Sequence, residues 1–202
     1  MKRDLLALIG MVICLVFILL AFFTPWYNSV IEGDYDLIGE VKTDSSLYLT
    51  KIVTKYRGMG ESGTDSHDYT DDVPYKYIFD ITLILMIGVF IIFIIALICI
   101  ILLNFSTQNI EIKIRKFAVI FCIISFILAI LAPIFFMVAL PNEMEKSGFE
   151  SASFWYDKKD ENSTKTMGPG FAWYFIIITA IILLISSIFL SKKNMFKKVA
   201  PT

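Results

Sequence analysis

The sequence predicts an all-α membrane protein: a four-transmembrane-helix bundle carrying a small extracellular β-rich cap formed by its two outer loops. Three observations lead there. Of 202 residues, 57% are hydrophobic and 18% charged, whereas a soluble domain is roughly half apolar and a quarter charged. The apolar residues gather in four long runs. Basic residues cluster at the chain ends and in one short link, while the two long polar segments are net acidic.

The runs cover residues 5–24, 78–103, 117–140 and 171–190. Each has at least 20 residues, enough at 1.5 Å per residue to cross about 30 Å of hydrocarbon. A spanning segment must satisfy its own backbone hydrogen bonds, so these Ile/Leu/Phe runs read as helices despite their β-branched content. None alternates over ten residues, as a barrel strand would. The first run follows Met1-Lys2-Arg3, a basic start resembling that of a signal peptide. It is too long for such a segment, and Ala21-Phe22-Phe23-Thr24-Pro25-Trp26 is bulky where cleavage needs small residues, so a retained span is expected.

Charge sets the direction. Residues 1–4, 104–116 and 191–202 hold nine Lys/Arg and two acidic residues. Residues 26–77 hold ten Asp/Glu and five Lys/Arg, and residues 141–170 hold six and four. The Lys/Arg excess places both termini in the cytoplasm and segments 25–77 and 141–170 outside a cell membrane. The aromatic pairs Trp26-Tyr27 and Trp173-Tyr174 read as interfacial anchors at the headgroup level. The tail lysines Lys192, Lys193, Lys197 and Lys198 are placed to meet anionic lipid, at about 1 kcal/mol per basic residue.

The first outer segment has strand-like stretches at 35–42 and 46–56, a turn candidate at Thr43-Asp44-Ser45, and a third strand at 26–31. A lone hairpin is marginal in water, so the second outer segment is expected to contribute residues 149–156. Residues 57–74 hold three glycines and five acidic residues and read as a mobile, solvated loop. A calcium site on Asp65, Asp68, Asp71 and Asp72 is the sharper alternative, since these are hard oxygen ligands. Their spacing is not that of an EF-hand. Asn162-Ser163-Thr164 is an N-glycosylation sequon on the expected outer side.

Catalytic patterns are missing. Cys14, Cys99 and Cys122 all lie in spans and read as small packing residues. The single histidine, His67, lies in the acidic segment. No GxSxG, HExxH or phosphate-cradling glycine loop occurs. Asp80 is the one ionisable residue in a span, near its outer end. Thr82, Ser125, Thr179, Ser186 and Ser187 are polar enough to join helices by hydrogen bonds, worth about 0.6 kcal/mol each. No enzymatic activity and no cofactor are expected.

Four spans, both ends inside, a larger first outer loop of β character and Pro25-Trp26 directly after span one resemble the claudin and peripheral-myelin-protein superfamily. The resemblance covers the topology of the whole chain and, in residues, Pro25-Trp26 and the strand-like stretch 35–56. The Gly-Leu-Trp triplet and loop cysteine pair of that superfamily are absent. The resemblance implies a non-enzymatic tetraspan protein whose extracellular cap binds another membrane protein or a second copy, laterally or across a cell contact. Exposed aromatics are the expected contacts: Tyr48, Tyr56, Phe154, Trp155 and Tyr156. The alternative is an accessory subunit of a larger membrane complex such as a transporter or membrane-bound enzyme. Membrane lipids are the other expected partner, and nucleic acid is not one.

Overall fold

The computed structural model describes residues 2–35, 39–58, 60–70, 73–103, 108–148, 153–160 and 162–196. In chain order the elements are α1 (Lys2–Phe23), β1 (Tyr27–Tyr35), β2 (Gly39–Leu47), β3 (Lys51–Gly58), β4 (Glu61–Asp68), α2 (Lys76–Leu103), α3 (Gln108–Lys146), β5 (Tyr156–Lys159), β6 (Ser163–Pro169) and α4 (Phe171–Phe196). The fold is therefore mixed helix and sheet, not all-α. All four helices are long and apolar enough to cross a membrane. The strands form one antiparallel sheet in the order β4-β3-β2-β1-β6-β5. The pairing of β1 with β6 joins the two long polar segments.

Several sequence expectations change. Thr43-Asp44-Ser45 lies within β2, where the ladder to β1 and β3 uses its backbone groups. The chain instead reverses so that Tyr35 faces Gly39, whose φ of 76° favours glycine. The expected strand 46–56 is broken at Tyr48-Leu49-Thr50. The segment expected to be mobile supplies β4, with all eight of its residues paired to β3. The second polar segment contributes mainly through β6, which has seven residues against four in β5. Residues 149–152, expected to form a strand, lie outside the described residues. Helix α3 is also longer than its apolar run, continuing through Pro133 and Pro141 to Lys146.

The chain divides into two compact units. One comprises Met1–Leu19, Ile84–Ala132 and Phe175–Thr202. Its buried positions recur every three or four residues: Ala7, Met11, Cys14 and Ile18; Met86, Val89, Phe93, Ala96 and Ile100; Ala118, Cys122, Ser125 and Ala129. That is the spacing of helices packed at small crossing angles. Gly10 brings α1 close to α4, since a Cβ there would lie 3.0 Å from Ser186 Oγ. Four of the five span hydroxyls do not join helices as expected. Ser187 bonds within its own helix, and Ser125 Oγ and Thr179 Oγ1 have no partner among the described residues. Thr82, in the other unit, also bonds its own helix. Arg115 is 2% exposed and paired with Glu111 at 2.9 Å. A residue that reads in the sequence as a topology charge is therefore a buried ion-pair member.

The other unit comprises Leu20–Leu83 and Pro133–Tyr174, and holds the whole sheet. Its core is aromatic. Phe136 of α3 meets Trp26 edge-on at 5.4 Å, Phe79 of α2 at 5.1 Å and Phe154 at 6.1 Å. Tyr69 stacks on Phe79, while Tyr27 and Trp173 pack against Phe154. Edge-to-face pairs of this kind contribute about 0.5–1.5 kcal/mol each beyond area burial. Backbone bonds tie the helix ends to the sheet. Trp26 N donates to the Leu47 carbonyl, Gly170 N to the Trp26 carbonyl and Ala172 N to the Pro25 carbonyl. Only glycine fits at position 170, where a Cβ would lie 2.1 Å from the Pro25 carbonyl oxygen.

Candidate functional site

The strand period of two sorts the sheet into two faces. Register places Tyr27, Leu47 and Ile52 side by side in one row. The next row is Met167, Ser29, Ser45, Thr54 and Asp65, and the row beyond is Lys165, Ile31, Thr43, Tyr56 and Gly63. This face grades from buried apolar residues, through small hydroxyls, to the exposed pair Ile31 and Tyr56. The opposite face is charged, with Glu32 bonded to Lys42 and Asp44 opposite Lys55.

A cleft of about 290 Å³ lies against the graded face. Ser29, Ser45, Thr54, Leu47 and Met167 line it from the sheet, and Tyr75 and Met144 from the flanking helical segments. Ser45 and Thr54 share a hydroxyl contact at 3.2 Å. Burial pushes the Tyr27 phenol up to about 12 and raises that of Tyr75. Both therefore stay neutral at ordinary pH, and Tyr27 donates to the Ser153 carbonyl. Lys165 stands at the mouth, its ammonium 5.8 Å above the Tyr156 ring. Such a cleft offers an apolar floor, hydroxyls able to donate and accept, and a cation at one edge. Among the described residues, no group of three or more His, Cys, Asp or Glu is placed to hold a metal.

The five aromatic contact candidates do not form one patch. Tyr56 is 48% exposed and lies on the graded face, its ring covering Gly63. Trp155 is 54% exposed but packs against Phe154 and Trp173 and passes close to Gly168, which belongs to the charged face. Phe154 is a core residue, enclosed by Tyr27, Phe136 and Trp173. Tyr156 is half-buried under Lys165, and Tyr48 is half-buried in the β2–β3 turn.

The expected anchors divide similarly. Trp26 is fully buried, donating to the Ala21 carbonyl, and Tyr27 is buried, so neither presents its ring to surrounding lipid. Trp173 donates to the Pro133 carbonyl, and Tyr174 is exposed. Asp65 and Asp68 are three apart on β4 and so point to opposite faces. Asp65 bonds His67 at 2.7 Å, while Asp71 and Asp72 lie outside the described residues. Asn162 is exposed, and its carbonyl accepts from Asp34 N. Lys197 and Lys198 lie outside the described residues, as do the side chains of Lys192 and Lys193.

Sequence reasoning overlooks most of the cleft. Ser29, Ser45 and Thr54 come from three strands and read individually as solvated residues. Tyr27, Val30 and Ile31 give this stretch strand propensity, but nothing in it singles out Ser29. The chain matches no protein-family model and no curated protein.

Proposed function

We propose that this is a non-enzymatic, multi-pass protein of the cell membrane, claudin-like in topology, with both ends of the chain cytoplasmic. Its extracellular sheet binds another membrane protein or a second copy of itself, through the cleft on the graded face. The observation that carries the reading is Ile31, 40% exposed, lining a recess whose other walls include the apolar Tyr27, Leu47, Ile52 and Met167. An exposed apolar side chain beside a pocket that can receive a partner's anchor residue is the kind of site protein interfaces use. The basic asymmetry along the chain supports the orientation.

The test places a photo-crosslinking amino acid at Ile31 and, separately, at Ile84, which is 67% exposed on α2. Irradiation of native membranes is expected to give one discrete protein adduct from position 31 and lipid adducts from position 84. Protein adducts from 84 alone would favour an accessory subunit gripped through its helices. Free monomer from position 31 would count against the cleft.

A further inference from the structure

A second recess, of about 580 Å³, is built from residues at the end of α1 and the β2–β3 turn. Phe22 and Phe23 close α1, and Leu83 lies on α2, seven residues beyond its start. Tyr48, Leu49, Thr50 and Lys51 form the remaining wall. The recess is thus polarised. Phe22, Phe23, Leu49 and Leu83 make one part wholly apolar, while Thr50 and Lys51 give the other a hydroxyl and a cation. No carboxylate lines it. Asp68 stands across the ladder from Lys51, yet the Lys51 ammonium lies over the Tyr48 ring at 5.7 Å.

The turn that carries these groups is held firmly. Tyr48 N donates to the Lys51 carbonyl, and the Tyr69 hydroxyl to the Tyr48 carbonyl. Leu49 is 2% exposed and fixes the turn from within. Phe23, at the last residue of a span-length helix, is 77% exposed. A preformed groove at the end of such a helix, lined by apolar side chains together with a hydroxyl and a cation, offers both kinds of contact that a lipid's acyl chain and headgroup require.

We propose that this recess binds one anionic phospholipid of the surrounding bilayer. The acyl chain lies along Phe22, Phe23 and Leu83, and the phosphate meets Lys51 and the Thr50 hydroxyl. The assignment rests on the membrane placement proposed above and is independent of the protein-binding cleft.

The experiment titrates the full chain in detergent with phosphatidylglycerol or phosphatidylcholine and reads bound lipid by native mass spectrometry. Phosphatidylglycerol is expected to bind in preference. Lys51→Gln is expected to lower that preference about fivefold, the worth of one interfacial cation. Lys55→Gln, four residues along the same strand, should leave it unchanged. Leu83→Trp, which fills the apolar part, should reduce binding of both lipids. A preference that survives Lys51→Gln, or that disappears only when the four tail lysines are neutralised, would overturn the proposal. Carbonate extraction of the unmodified chain separates the two readings. Release into the soluble fraction sinks the membrane placement itself, whereas retention without lipid preference sinks only this site.

Discussion

The two compact units are built from different materials. The helical unit is largely apolar, and small residues such as Ala7, Cys14, Ala118, Cys122 and Ala129 recur among its inward positions. The sheet-bearing unit is held by rings and by directed bonds such as Trp26 to Ala21 and Gly170 to Trp26. In the proposed membrane placement, apolar burial gives the helices little reason to associate, so close packing of small residues must do so. The same placement leaves the sheet facing water, where the hydrophobic effect is available and can be concentrated in a few large side chains. Mutational sensitivity should therefore be concentrated in the second unit and diffuse in the first.

Phe136→Ala should produce the largest loss. It removes the ring shared by Trp26, Phe79 and Phe154, and about 3–5 kcal/mol is expected from the cavity. Thermal unfolding in detergent would show it, and a loss below about 1 kcal/mol would contradict the aromatic core. Gly170→Ala should follow, at about 3 kcal/mol, because its Cβ meets a backbone carbonyl that cannot swing aside. Trp26→Phe keeps most of the packing but removes the bond to the Ala21 carbonyl, for an expected loss of about 1–2 kcal/mol. Ile84→Ala in the helical unit should change stability least, since lipid covers either side chain in the proposed placement. A loss at position 84 as large as that at 136 would erase the contrast between the units.

Alkaline titration sharpens the same comparison. Burial raises the phenols of Tyr27, Tyr69 and Tyr75, all in the sheet-bearing unit. Their folded-state values exceed the unfolded value near 10, so the unfolded chain releases protons first. The contribution of these phenols to stability should be constant below about pH 10 and fall as pH rises toward 12. Tyr27→Phe should flatten part of that fall. An unchanged profile in Tyr27→Phe would show that this phenol is not kept protonated by folding.

How much of this was legible follows from the same physics. The four helices were visible because runs of 20 apolar residues have one stable form in lipid. Which way each helix faces was not, because Ile and Leu serve both the outside and much of the inside. The spacing of Ala7, Cys14, Ala118, Cys122 and Ala129 carried the hint. Strand β1 showed in part, through the aromatic and β-branched Tyr27, Val30 and Ile31. Strand β4 did not, because Glu61-Ser62-Gly63-Thr64-Asp65-Ser66-His67-Asp68 has low strand propensity and is held by its ladder to β3 and by Tyr56 over Gly63. Thr43-Asp44-Ser45 has turn composition, yet the ladders on both sides of β2 override it. Aromatic residues were readily picked out as contacts, but burial of Phe154 and Trp26 depends on partners far away in sequence. The cleft was hidden for a related reason, since β6 brings Met167 beside Ser29 across more than a hundred residues.

The most direct test of the proposed function is the crosslink from position 31 repeated in a Ser29→Phe background. Ser29 lines the cleft, so phenylalanine there should fill the recess. The account predicts that the discrete adduct disappears while the protein remains folded, with its Trp26-centred core intact by near-ultraviolet circular dichroism. An adduct of undiminished yield with the cleft filled would contradict it.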